Sequence, residues 1–103
     1  MEIALSIHSV QIRLTSERWL HIVENHDDLA GRFYDALEVV AEPNYVLEGK
    51  SGEFLAVKKD RPFSFIVVYR ELSRDGFVIT AFQTTKSHQL LKTRKIVWRK
   101  QNQ

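Results

Sequence analysis

Phe63-Ser64-Phe65-Ile66-Val67-Val68-Tyr69-Arg70-Glu71-Leu72, followed by Ser73-Arg74-Asp75-Gly76 and then Phe77-Val78-Ile79-Thr80-Ala81-Phe82-Gln83-Thr84, is the stretch that decides the fold. The first segment is a continuous β-branched and aromatic run, the composition of a central strand. The second carries Asp-Gly, a strong short hairpin signal. The third alternates again as a strand, with Thr80, Phe82 and Thr84 on one face and Ile79, Ala81 and Gln83 on the other.

The same period extends backward. Glu53 to Lys59 alternates, and Arg61-Pro62 separates it from the central run. Tyr45 to Glu48 is a short strand, joined through Gly49-Lys50-Ser51-Gly52, a turn with two glycines. Before Pro43 the period changes to that of helices. Trp19, Ile22, Val23 and His26 fall at i, i+3, i+4 and i+7, one face of a helix. Thr15 or Ser16 supplies the cap and Glu17 an acid in the first turn. Leu29, Phe33, Ala36, Leu37 and Val40 form a second stripe. Glu2 to Leu14 reads as strand. Leu90 to Trp98 reads as a short basic helix or an extended tail. The expectation is a single α+β domain over residues 1–103, with two N-terminal helices packed on a four-stranded antiparallel sheet and a basic C-terminal tail over about 86–103.

Composition narrows the classes. The chain has 103 residues, of which 44% are hydrophobic and 27% charged. These values suit one globular domain and exclude a disordered one. The chain contains no cysteine, so disulfides and thiolate metal sites are excluded. No apolar run is long enough to span a bilayer, and Met1 to Ile7 lacks the basic start of a signal peptide. A cytoplasmic protein without membrane association is expected. The formal charge of +2 conceals a division. Up to Gly49 three bases face nine acids; from Lys50 onward twelve bases face four acids. A basic half suits a polyanion such as nucleic acid, or is a solvated surface whose signs mix on folding.

Arg18-Trp19-Leu20-His21-Ile22-Val23-Glu24-Asn25-His26 resembles a helix of a phage and bacterial branch of the barnase–EndoU–colicin–RelE (BECR) nuclease superfamily. Gly52 to Lys58, Val67 to Glu71 and Gly76 to Thr84 resemble its strands, and the likeness runs from about Thr15 to Lys86. Asp27-Asp28 stands where members of that branch often have Pro-Glu, so the charge beside the second histidine differs. The resemblance implies a toxin-like or phage-derived RNA endonuclease that needs no cofactor, with RNA as partner and an inhibitor or antitoxin protein as a second partner. A non-catalytic RNA-binding or protein-interaction module of the same fold is the alternative.

Metal-independent cleavage requires a base for the 2′-hydroxyl, a cation for the phosphorane and an acid for the departing 5′-oxygen. Histidine suits both proton roles. His26 is a candidate for one, or a residue that caps its helix. His21 enters as the second through the resemblance, the other reading being a surface residue. Continued helical geometry sets the two about 140° apart, which is not the i, i+4 spacing of a zinc-binding pair. No metal site is expected. Arg70 is a candidate phosphate clamp, or a charge paired with Glu53 or Glu71. Thr80 and Thr84 can bond to phosphate, or serve simply as strand formers. Lys58, Tyr69, Lys86, Lys92 and Arg94 are the candidate RNA contacts. Trp98 either stacks on a base or docks the C-terminal segment.

Overall fold

A computed structural model describes residues 1–101. Among the described residues the chain forms three α-helices and one seven-stranded mixed sheet, in the order β1-β2-β6-β5-β4-β3-β7. The strands are β1 (Glu2–Leu5), β2 (Gln11–Leu14), β3 (Tyr45–Glu48), β4 (Phe54–Asp60), β5 (Phe63–Glu71), β6 (Asp75–Thr84) and β7 (Ile96–Arg99). The helices are α1 (Ser16–Asn25), α2 (Phe33–Ala41) and α3 (Ser87–Thr93), with a 3₁₀ turn at Asp27–Leu29. This corrects the expected two helices on a four-stranded antiparallel sheet. The extra strands lie at the two sheet edges, and β2 pairs with β6 in parallel. None of the helices among the described residues is long and apolar enough to cross a membrane.

The N-terminal segment is a hairpin rather than one strand. Its apolar phase shifts between Ile7 and Val10, and the chain turns there. The Ser6 hydroxyl accepts from the backbone N–H groups of His8 and Val10 and donates to Glu71 at 2.5 Å. His8 Nδ1 lies 2.9 Å from the same carboxylate, so the turn is tied to the end of β5. Arg13 pairs with Asp75 across the parallel β2–β6 junction.

Both faces of the sheet are covered, which explains the unbroken apolar run of β5. On one face, Ile12, Leu14, Phe65, Val67, Tyr69, Val78 and Ala81 pack with Trp19 and Ile22 of α1, Leu29, and Ala36, Leu37 and Val40 of α2. On the other, Leu47, Leu55, Val57 and Ile66 pack with Phe82, Leu90, Leu91 and Ile96. The expected C-terminal tail is therefore largely structural. Leu90 and Leu91 of α3 close the second face, and Trp98 of β7 sits opposite Val46 of β3. The last two residues of that predicted segment, 102 and 103, fall outside the described residues.

Two local corrections bear on the site. Between β5 and β6, Leu72 N–H donates to the Asp75 carbonyl, so Ser73-Arg74 form the loop and Asp-Gly opens β6. Gly76 is required by close approach: a Cβ there would overlap the Arg70 carbonyl oxygen and lie 2.8 Å from Ile12 Cδ1. Further along, Tyr69 pairs with Val78 but Val68 pairs with Thr80, so Ile79 is the extra residue of a bulge. The bulge changes the expected face assignment. Val78 and Ala81 enter the helix-side core, while Ile79 is displaced to the sheet's side opening.

Candidate active site

The site is built by α1 and the part of β6 that β2 leaves unpaired. Thr15 caps α1, its Oγ1 accepting from Arg18 N–H at 3.0 Å, and Glu17 occupies the first turn. Burial of Trp19 and Ile22 holds the helix on the sheet. Among the described residues β2 pairs with β6 at Asp75–Phe77 alone, and the β6 edge at Ile79 and Thr80 borders α1 instead of a strand. An open groove of about 310 Å³ results, lined by Arg18, His21, Ile22, Asn25, His26, Ile79 and Thr80.

Three expected site residues thus share one groove: His21, His26 and Thr80. The wide angular separation expected of the histidines does not apply, because the helix ends at Asn25. His26 is its C-cap, with φ −140° and ψ 69°, and leaves the helical path. Its backbone N–H donates to the Ile22 and Val23 carbonyls at 2.9 and 3.2 Å. Its ring lies 6.3 Å from that of Phe82, centroid to centroid. His21 is exposed, and its Nδ1 lies 3.7 Å from a Glu24 carboxylate oxygen. A loose, exposed i, i+3 pair of this kind has little energetic weight. Asn25 Nδ2 donates to the His21 carbonyl at 3.2 Å.

Of the two acids that follow His26, Asp28 has a structural role. Gln83 Nε2 donates to Asp28 at 3.0 Å, tying the 3₁₀ turn to β6. The Gln83 side-chain carbonyl accepts from Arg32 at 3.0 Å, and Arg32 also donates to Asp35 and Asp60, each at 2.9 Å. The guanidinium stacks over Phe65 at 4.6 Å. Burial opposes its charge, but the bonds to both carboxylates outweigh burial and raise its pKa above the ordinary value. This network fixes the segment that follows His26.

The other expected residues lie elsewhere. Arg70 pairs across the sheet with Phe77 and lies near Gly52 and Glu53, outside the groove. Its charge complements Glu53. That carboxylate is held below its usual range first by backbone N–H bonds from itself and Ser51, then by Arg70 and Arg94. Arg70 thus lies on the Glu53 side of the sheet and not in the groove. Thr84 is opposite Ser64 and accepts from Lys86 N–H at 3.0 Å. Lys58 reaches Glu38 at 3.8 Å. Tyr69 is wholly buried and cannot touch RNA; its hydroxyl has no protein partner among the described residues. Lys92 is exposed at the end of α3 and Arg94 is its C-cap, both apart from the groove.

Arg18, Asn25 and Ile79 are groove residues that sequence reasoning missed. Arg18, His21, Ile22 and Asn25 have i, i+3, i+4, i+7 spacing, a second face of α1 beside the apolar one. That signal was readable; the bulge that brings Ile79 out was not. Among the described residues no group of three or more His, Asp or Glu side chains is arranged to hold a metal ion. No protein-family model, curated protein or solved structure matches the chain.

Proposed function

We propose that the groove between α1 and β6 is the centre of a metal-independent ribonuclease. The observation that carries this reading is the convergence of two solvent-accessible histidines and Arg18 on one open groove. These are the residue types that the reaction needs: a proton acceptor, a proton donor and a cation. One imidazole takes the 2′-hydroxyl proton as that oxygen attacks phosphorus. The other protonates the 5′-oxygen as its bond to phosphorus breaks. Arg18 offsets the charge on the phosphoryl oxygens. The products are a 2′,3′-cyclic phosphate and a 5′-hydroxyl. The resemblance to BECR nucleases supports the same reading, with the cation moved from Arg70 to Arg18.

Purified protein incubated with total RNA in excess chelator tests it. Wild type is expected to cleave and His26→Ala to lose cleavage by at least about a hundredfold, the usual share of one acid–base group. Intact RNA at high wild-type concentration would refute it. The exposure of His21, with only a loose partner, favours a second reading: an RNA-binding module without catalysis. Salt-sensitive RNA binding with no cleavage would select that reading.

A further inference from the structure

The β4–β5 hairpin and the start of α3 enclose a cavity of about 150 Å³ lined by Lys59, Arg61, Pro62, Phe63, Ser64 and Ser87. Phe63 is 42% exposed at the start of its strand. Its cross-strand partner is Asp60, whose carboxylate is already engaged by Arg32. Arg61 and Lys86 are exposed, and among the described residues neither has a carboxylate within ion-pair distance. Lys59 has its ammonium 5.2 Å from the Tyr45 ring rather than beside an acid. Ser64 Oγ donates to Ser87 Oγ at 2.8 Å, a hydroxyl pair at the cavity wall. An exposed aromatic ring in a cavity that Lys59 and Arg61 also line, with Lys86 adjoining Ser87 in the chain, is an arrangement that can hold single-stranded nucleic acid: the ring stacks on a base and the cations meet phosphates.

β6 runs from the groove toward the cavity. Thr80 lines the groove, and Thr84 pairs with Ser64 at the cavity. Four residues of strand separate them, about 13 Å. Beyond Phe77 this edge of β6 has no strand partner among the described residues, and the turn after His26 meets it at Phe82 and Gln83. We propose that the cavity is a second subsite for the RNA strand that occupies the groove. An unpaired base stacks on Phe63, and the adjoining phosphates lie against Lys59, Arg61 and Lys86. This rests on the ribonuclease reading for its choice of RNA. It specifies single strands, because a base within a duplex has no free face for Phe63.

The test measures fluorescence anisotropy of a labelled, unstructured oligoribonucleotide with the His26→Ala protein, which leaves the probe intact. Adding Phe63→Ala is expected to weaken binding about tenfold, the size of one lost base stack. Phe63→Tyr restores it. Arg61→Gln and Lys86→Gln each lower the slope of log affinity against log salt by about 0.7, one phosphate contact apiece. Thermal melting confirms that each variant is folded. Unchanged affinity in Phe63→Ala, or equal affinity for duplex RNA, overturns the proposal. Phe63-dependent binding with no cleavage by wild type refutes the catalytic reading and leaves the subsite standing.

Discussion

Replacing Arg32 with alanine is expected to destabilise the fold by about 2 kcal/mol, the sum of several screened polar contacts and one cation–ring contact. The guanidinium is the junction of α2, the β4–β5 hairpin and β6, with bonds to Asp35, Asp60 and Gln83 and a stack on Phe65. Its side chain is 26% exposed, while those of Asp35 and Asp60 are about half exposed. Solvent therefore screens each bond, to about 0.5 kcal/mol. The ring contact adds about 0.5–1 kcal/mol. The stranded acids rehydrate, so no buried-charge penalty follows. For a chain of this size, about 2 kcal/mol lowers the melting temperature by about 10 °C. Arg32→Lys retains the charge but not the three-way fork, and is expected to cost about 1 kcal/mol. Urea titration is the assay, with a lowered midpoint and an unchanged slope. A loss below about 0.5 kcal/mol in Arg32→Ala, the size of a single screened pair, would refute the reasoning. So would an Arg32→Lys midpoint equal to wild type. Through Gln83 and Asp28 the same network positions the turn after His26, so Arg32→Ala should also lower RNA cleavage.

Gly76→Ala should cost about 3 kcal/mol or prevent folding, as overpacking does when backbone cannot give way. The methyl group would overlap the Arg70 carbonyl, and chemical denaturation or soluble yield reads the cost directly. Burial first, and Glu71 second, raise the Tyr69 pKa well above its ordinary value. An unfolded tyrosine ionises near pH 10 while the buried one stays protonated, so stability falls as pH rises above about 10. Tyr69→Phe removes that contribution. At neutral pH it stabilises by about 1 kcal/mol by eliminating a buried polar group left without a partner. That hydroxyl has no protein partner among the described residues. Melting curves at neutral and alkaline pH test both points, and an unchanged alkaline loss would show that another group is responsible.

The parts of the fold legible in the sequence are those set by local pattern. The α1 stripe and its Thr15 cap, the α2 stripe, and the β3 to β6 segments all follow from residue period and turn chemistry. The edges are not of that kind. The hairpin of β1 and β2 contains neither glycine nor proline, and its only local signal is the phase shift between Ile7 and Val10. Parallel pairing of β2 with β6 and antiparallel pairing of β7 with β3 join residues distant in the chain, and no local period encodes them. The Asp-Gly signal found the right hairpin for the wrong reason: Gly76 answers a close approach inside a strand. His21, His26 and Thr80, singled out from the sequence, are brought to one groove by the fold. Arg70 falls outside that groove, which its pattern could not show, because an arginine in an apolar run suits a clamp and a sheet-end charge equally. Only the folded chain brings Arg70 and Arg94 to Glu53.

The most direct test compares Arg18→Ala with Arg70→Ala in chelator-containing RNA cleavage, with the ends of the fragments characterised. The groove predicts 2′,3′-cyclic phosphate ends from wild type and near-wild-type cleavage by Arg70→Ala. It predicts a loss of about a hundredfold or more in Arg18→Ala, the effect of one electrostatic stabiliser. Full activity in Arg18→Ala, with loss confined to Arg70→Ala, would contradict the account and move the chemistry to the opposite part of the sheet.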